Sequence, residues 1–343
     1  MKKMVTAAVI GTGMVLATAA CSSTSESVVP SSSAENINNV VYFGNPTADV
    51  QTLGDYVVSG TNTPADGKPF VDTVVLFAAN IDNQGQAWSA DPSSPILDIG
   101  DSNLGGPTSP TPTEPRDVSW IAPAVTTLHS KGIKVLLGIL PNHQGTGWSC
   151  PGMSTTAQQG LATQIAATVN QYKFDGISID DEYSECPKGN DLPGGDASVN
   201  YGIVSQLRSD TTYAGKLITK SVYADTFAFP PATSPPAPNN LAPLLDAAWT
   251  ETYPSSYSDL SPYQQAGLKN SQLGLSASPS SSPKQVAQAV AQNGLGYMMV
   301  WQSDGSLTTQ QRAAAYSQVV QGEFGNDSAA VTYQSSNSTA AKQ

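Results

Sequence analysis

Residues 174–183 read Phe-Asp-Gly-Ile-Ser-Ile-Asp-Asp-Glu-Tyr, with polar and apolar side chains in alternation. At a strand's period of two, Ser178, Asp180 and Glu182 share one face, while Ile177 and Ile179 share the other. Two carboxylates that close raise the proton affinity of one, which is how a glutamic acid stays protonated to act as a general acid. An acidic run at a strand end also serves as a solvated loop or a cation site, and the choice depends on the elements that hold it.

Eight short β-branched runs separate longer segments of helical spacing. They lie at 40–43, 73–78, 134–140, 176–180, 217–222, 247–253, 272–276 and 297–301, with the clearest helical patterns at 155–172, 198–210, 283–293 and 308–324. No glycine-rich phosphate loop follows the first run, so an open dinucleotide-binding sheet is disfavoured. The pattern predicts an α/β chain folded as a (β/α)8 TIM barrel over residues 38–325. Proline and asparagine crowd 226–240, and 253–268 lacks apolar periodicity, so the fifth and sixth crossovers should be irregular. Residues 90–115 form a Pro-, Ser- and Thr-rich insertion expected at the active-site rim. The small polar tail 326–343 is expected to be disordered. In a barrel the carboxylates of the fourth strand hang over the C-terminal mouth, the catalytic position.

The run DGISIDDE resembles the DGxDxDxE signature of glycoside hydrolase family 18, and its Asp-Asp-Glu-Tyr ending resembles the endoglycosidase H type of endo-β-N-acetylglucosaminidase. Further similarity lies in Val75–Ile81, Gly132–Leu137, Asn142–Gly145 and Asp246–Tyr253, so the likeness extends over essentially the whole barrel. It implies retaining hydrolysis assisted by the substrate, whose own acetamido oxygen attacks. By that resemblance Glu182 is the acid and base, Asp180 orients the acetamido group, and Tyr253 directs a hydroxyl at its carbonyl. Trp301 would form a floor under the sugar. Glu251 faces the same way as Tyr253 and would contact sugar hydroxyls or sit in a barrel-wall ion pair. Asn80, Asn142, His143 and Gln144 would line the cleft. Ser178 stands where the family has aspartate; it is expected to donate to Asp180, which then ionises more readily and shifts the acid limb of the pH profile. The implied substrate is the GlcNAc-β1,4-GlcNAc core of N-linked, high-mannose glycans. A chitinase-like hydrolase, a non-catalytic surface carbohydrate-binding protein and a surface adhesin are the alternatives.

Composition agrees with an exported domain. Of 343 residues only 12% are charged and 39% hydrophobic, with a net charge of −12 that repels phosphate backbones and disfavours nucleic acid. Met1-Lys2-Lys3 precedes an apolar run to Ala20 that reads as an export signal. Leu16–Cys21 resembles a lipoprotein box, giving a signal at 1–21 acylated at Cys21 and a Ser-rich tether at 22–37; an ordinary signal peptide is the alternative. The expected product is a monomer anchored at the bacterial surface through lipid alone, or secreted if Cys21 is not acylated. Cys150 and Cys186 remain for a disulfide or two free thiols. No spacing of His, Cys and Asp suggests a metal, and no cofactor is expected.

Overall fold

A computed structural model describes residues 36–44, 48–60, 63, 65–82, 95–99, 118–141, 145–186, 195–302 and 307–335. In chain order its strands are β1 (Asn38–Phe43), β2 (Tyr56–Ser59), β3 (Thr73–Asp82), β4 (Ile96–Asp98), β5 (Lys134–Ile139), β6 (Gly176–Ile179), β7 (Leu217–Val222), β8 (Ala247–Thr250), β9 (Leu273–Ala277), β10 (Tyr297–Gln302) and β11 (Ala330–Tyr333). The helices are α1 (Ile121–Ser130), α2 (Thr155–Tyr172), α3 (Ala197–Ser209), α4 (Ser261–Gln265), α5 (Pro283–Gln292) and α6 (Thr309–Phe324).

Eight strands run parallel in the order β1-β10-β9-β8-β7-β6-β5-β3, and β3 pairs back to β1, so the sheet closes into a barrel. These strands are buried on both faces and therefore read as near-continuous apolar runs. The inner face carries Val40, Tyr42, Val75, Phe77, Leu136, Trp249 and Met299; the outer face packs against the helices. Helix α2 shows why the outer layer forms. Ser154 caps its N-terminus by accepting from the Ala157 amide at 3.2 Å, and Leu161, Ala162, Ile165, Ala166 and Val169 make a stripe of helical period facing the strands. Burying Leu161 contributes about 2 kcal/mol. Thr308 and Gln311 form a reciprocal capping box on α6, which ends at Gly325 in the left-handed region.

Between β7 and β8 the fifth crossover holds only two 3-10 turns, Thr226–Ala228 and Ala242–Leu244, and between β8 and β9 the sixth holds the 3-10 turns Tyr257–Leu260 and Asn270–Gln272 and the short α4. The first crossover is also irregular: a 3-10 segment, Ala48–Asp55, leads into β2. One expectation requires correction. The tail does not begin at 326 as disorder, because β11 pairs antiparallel with β2 and extends the folded unit to Tyr333; residues 336–343 lie outside the described residues. The insertion at 90–115 contains β4, which pairs antiparallel with Asn80–Asp82; the rest of it lies outside the described residues, as do the signal at 1–21, Cys21 and most of the tether at 22–37. Among the described residues no helix is long and apolar enough to cross a membrane.

Candidate active site

The acidic strand is held at both ends. Asp175 accepts from the Val135 amide at 2.7 Å and lies 2.8 Å from His129 Nε2, fixing the entry to β6. Gly176 follows at φ 156°, where a Cβ would run into the Leu217 backbone, so only glycine fits. At the other end the Asp180 amide donates to the Ile139 carbonyl at 3.1 Å, continuing the pairing with β5 one residue past the strand. Alternation therefore persists, and Asp180 faces inward.

Asp180, Glu182 and Glu251 each place a carboxylate oxygen within 4.8 Å of the others at the C-terminal mouth. Asp180 is 1% exposed and hydrogen-bonds Glu251, while Glu182 is half-buried and contacts the Tyr183 side chain. Burial is the main reason all three hold protons above the usual carboxylate range; for Asp180 the next cause is the charge of Glu182, and for Glu251 that of Asp180. Three carboxylates can surround a cation or move protons. Their burial raises the proton affinity of each, so in this arrangement they can hold and move protons. Glu251 thus joins the carboxylate cluster and is in no ion pair with a lysine or arginine among the described residues.

Ser178 does not donate to Asp180. Its hydroxyl lies 2.6 Å from that of Tyr42, which is also 2.8 Å from Ser221 Oγ and accepts from Trp249 Nε1 at 3.0 Å. The reason is barrel geometry: Ser178 and Tyr42 meet across a closed interior, while Asp180 turns toward Glu251 one layer above. Despite the absent aspartate, burial and then the charge of Glu182 raise the proton affinity of Asp180, while Lys220 and Glu251 work in the opposite direction.

On the outer face, Asp181 points away from Glu182 and hydrogen-bonds Asn200 and Ser149; burial raises it to about 6. Lys220 on β7 is buried beside it and pairs with Asp225 at 2.8 Å, and Tyr263 donates to the same aspartate at 2.8 Å. Sequence reasoning missed Tyr42, Trp249, Lys220 and Asp225. A lysine flanked by Thr219 and Ser221 inside an apolar strand was the available signal for a buried charge.

Tyr253 and Trp301 are half-buried and stacked, centroids 6.0 Å apart at 27°, with Trp301 also packed on Tyr42 and Phe77 at 5.5 and 5.1 Å. They form an aromatic wall beside the carboxylates. Asn80 is buried at the end of β3, and Asn142, His143 and Gln144 lie outside the described residues. Cys150 and Cys186 form a disulfide, Cα atoms 5.4 Å apart, tying the loop after β5 to the loop after β6 just beyond Glu182. The site thus offers proton-holding carboxyls, an aromatic face and braced rim loops, a combination suited to cleaving a sugar linkage by acid catalysis.

No protein-family model matches the chain. It is 30% identical over 244 residues to the endo-β-N-acetylglucosaminidase of Flavobacterium sp. (strain SK1022), covering 69% of this chain and 68% of that protein. It is 32% identical over 170 residues to endo-β-N-acetylglucosaminidase F1 of Elizabethkingia meningoseptica, covering 48% of this chain but only 44% of that one. Among solved structures, Bacteroides thetaiotaomicron EndoBT-3987 with a Man5GlcNAc product superposes with a TM-score of 0.59 at 19% identity, over 87% of this chain and 62% of that one. This chain therefore spans less than two thirds of that structure. A chitinase from Bacteroides thetaiotaomicron superposes with a TM-score of 0.53 at 14% identity, over 85% and 97% of the two chains, a likeness of fold alone. With its closed barrel and its relative at 30% identity, the chain belongs to the endo-β-N-acetylglucosaminidase family and is a glycosidase.

Proposed function

We propose that the protein hydrolyses the GlcNAc-β1,4-GlcNAc core of N-linked glycans, high-mannose ones among them, and leaves one GlcNAc on the polypeptide. The observation that carries this reading is the convergence of Asp180, Glu182 and Glu251 beside the Tyr253–Trp301 wall at the barrel mouth. The relatives' shared activity supports the bond, and the Man5GlcNAc product in EndoBT-3987 supports the glycan class.

The chemistry follows from the environments. Glu182, held protonated by burial, gives its proton to the departing glycosidic oxygen and later takes one from water. No enzyme carboxylate attacks. The substrate's acetamido oxygen closes on the anomeric carbon, with Asp180 beneath it to orient the group and offset the positive charge. Tyr253 donates its hydroxyl to the acetamido carbonyl, and Trp301 stacks under the sugar's apolar face. The N-terminal pattern supports export, acylation of Cys21 and display of the domain on its tether; incorporation of labelled palmitate, lost in Cys21→Ala, tests that part.

Mass spectrometry of ribonuclease B, a high-mannose glycoprotein, after incubation with residues 36–335 tests the activity. Loss of the glycan with one N-acetylhexosamine retained is the expected result. An unchanged mass, with hydrolysis of chitin oligomers instead, overturns the substrate; binding of the glycan without cleavage overturns the enzyme reading.

A further inference from the structure

We propose that Glu251 is a positioning residue: as a neutral acid it donates its O–H to Asp180, so that Asp180 carries the negative charge beneath the substrate. The reading of the substrate is that of the preceding section; the pair itself rests on geometry.

Asp180 and Glu251 bring carboxylate oxygens within 4.8 Å of each other at a buried place, and because an ionised carboxylate only accepts hydrogen bonds, the two can join only with a proton on one of them. Among the described residues no hydroxyl or amide side chain donates to Asp180. Ser178, the neighbour on the same face, is engaged with Tyr42 at 2.6 Å, and Asp180 Oδ1 is buried with no hydrogen-bond partner among the described residues. Lys220 supports Asp180 from the outer side of β7 but is itself paired with Asp225 at 2.8 Å. The remaining groups facing Asp180 are Glu182 and Asp181 on its own segment, Tyr183 beyond them, Tyr42 on β1 and Tyr253 after β8. Two carboxylates in contact at such a buried place do not both ionise, and the pair binds a proton as a unit. The proton belongs on Glu251. Its hydrogen bond favours the charged form of Asp180, whereas burial first and then the charge of Asp180 oppose ionisation of Glu251.

This arrangement places one negative charge, not two, under the developing positive charge, and fixes it on the residue beside Glu182. The shared proton is neither consumed nor released during turnover.

The test compares Glu251→Gln with Glu251→Ala in the folded domain. Gln is a permanent donor and Ala is none. With ribonuclease B as substrate, Glu251→Ala is expected to lose about 100-fold in kcat, with little change in KM, and to move its acid limb to higher pH. Glu251→Gln is expected to keep kcat within about tenfold and its acid limb in place. A purely structural Glu251 would leave both limbs unmoved. In infrared titration of the protein alone, the wild type should show one more carboxyl protonated above neutral pH than either variant, beyond the Glu323 signal common to all three. Persistence of that additional signal in Glu251→Gln, or equal loss of kcat in both variants with unshifted limbs, overturns the proposal. Infrared behaviour as expected in a wild-type protein that cleaves no glycan upholds the pair and overturns the hydrolase reading.

Discussion

The hydroxyls of Tyr42 and Ser178 lie 2.6 Å apart in the sealed interior of the barrel, although 136 residues separate them in sequence. This contact takes Ser178 away from Asp180 and leaves the layer beneath the carboxylates uncharged. Ser178→Asp would place a new carboxyl there, next to the Tyr42 hydroxyl and below Asp180. A further buried negative charge raises the proton affinity of Asp180, so the acid limb of the pH–rate profile should move to higher pH. Ser178→Ala should retain most activity. A Ser178→Asp profile that superposes on the wild type would show that the two positions do not communicate.

Glu182→Gln preserves shape and removes the proton that protonates the leaving group. General acid catalysis contributes about 10²–10⁴-fold, so kcat on ribonuclease B should fall by at least that lower factor while the melting temperature holds. Glycan binding should survive, since the Tyr253–Trp301 wall is untouched. Retained turnover would assign the acid to another residue.

The barrel was legible because each parallel strand is a short apolar run, and because caps such as Ser154 and Thr308 mark helix starts locally. Asp180 and Glu182 were legible through alternation alone, since the Asp180 amide keeps the strand's pairing. What escaped was set by distant partners. Tyr42 reads as one more apolar residue until closure brings Ser178, Ser221 and Trp249 to its hydroxyl. Ala330–Tyr333 reads as tail, and only its pairing with Tyr56–Ser59 makes it a strand. Ser178 was assigned to Asp180 because local alternation places them on one face; its partner, the Tyr42 hydroxyl, lay across the barrel.

The Cys150–Cys186 disulfide closes a 36-residue span that carries α2 and ends beside Glu182. Chain-entropy arguments give such a crosslink about 3–4 kcal/mol, acting on the unfolded chain. The double variant Cys150→Ala/Cys186→Ala should lose roughly 2–4 kcal/mol in urea unfolding. It should also raise KM, because the loops after β5 and β6 lose their mutual brace at the mouth. An unchanged KM alongside the lost stability would limit the bridge to a folding role.

Glu323 on α6 joins the end of the barrel to its beginning. It is 5% exposed, and Asn39 on β1 donates Nδ2–H to its Oε2 at 3.5 Å, while Glu323 Oε1 and Asn39 Oδ1 have no hydrogen-bond partner among the described residues. A proton on Glu323 supplies the missing donor for that pair of acceptors. Burial first, and Asp72 nearby, push its carboxyl up from 4.5 to about 8. Because the folded value is raised, the stabilisation is fully present below pH 4.5 and is lost progressively as pH rises through about 8. The loss amounts to roughly 1 kcal/mol per pH unit across that window. Glu323→Gln keeps a donor for Asn39 and cannot ionise, so it should match the wild type near pH 5 and exceed it in stability near pH 9. Urea unfolding at both values decides the matter: a variant that loses stability in parallel with the wild type would place the alkaline sensitivity elsewhere.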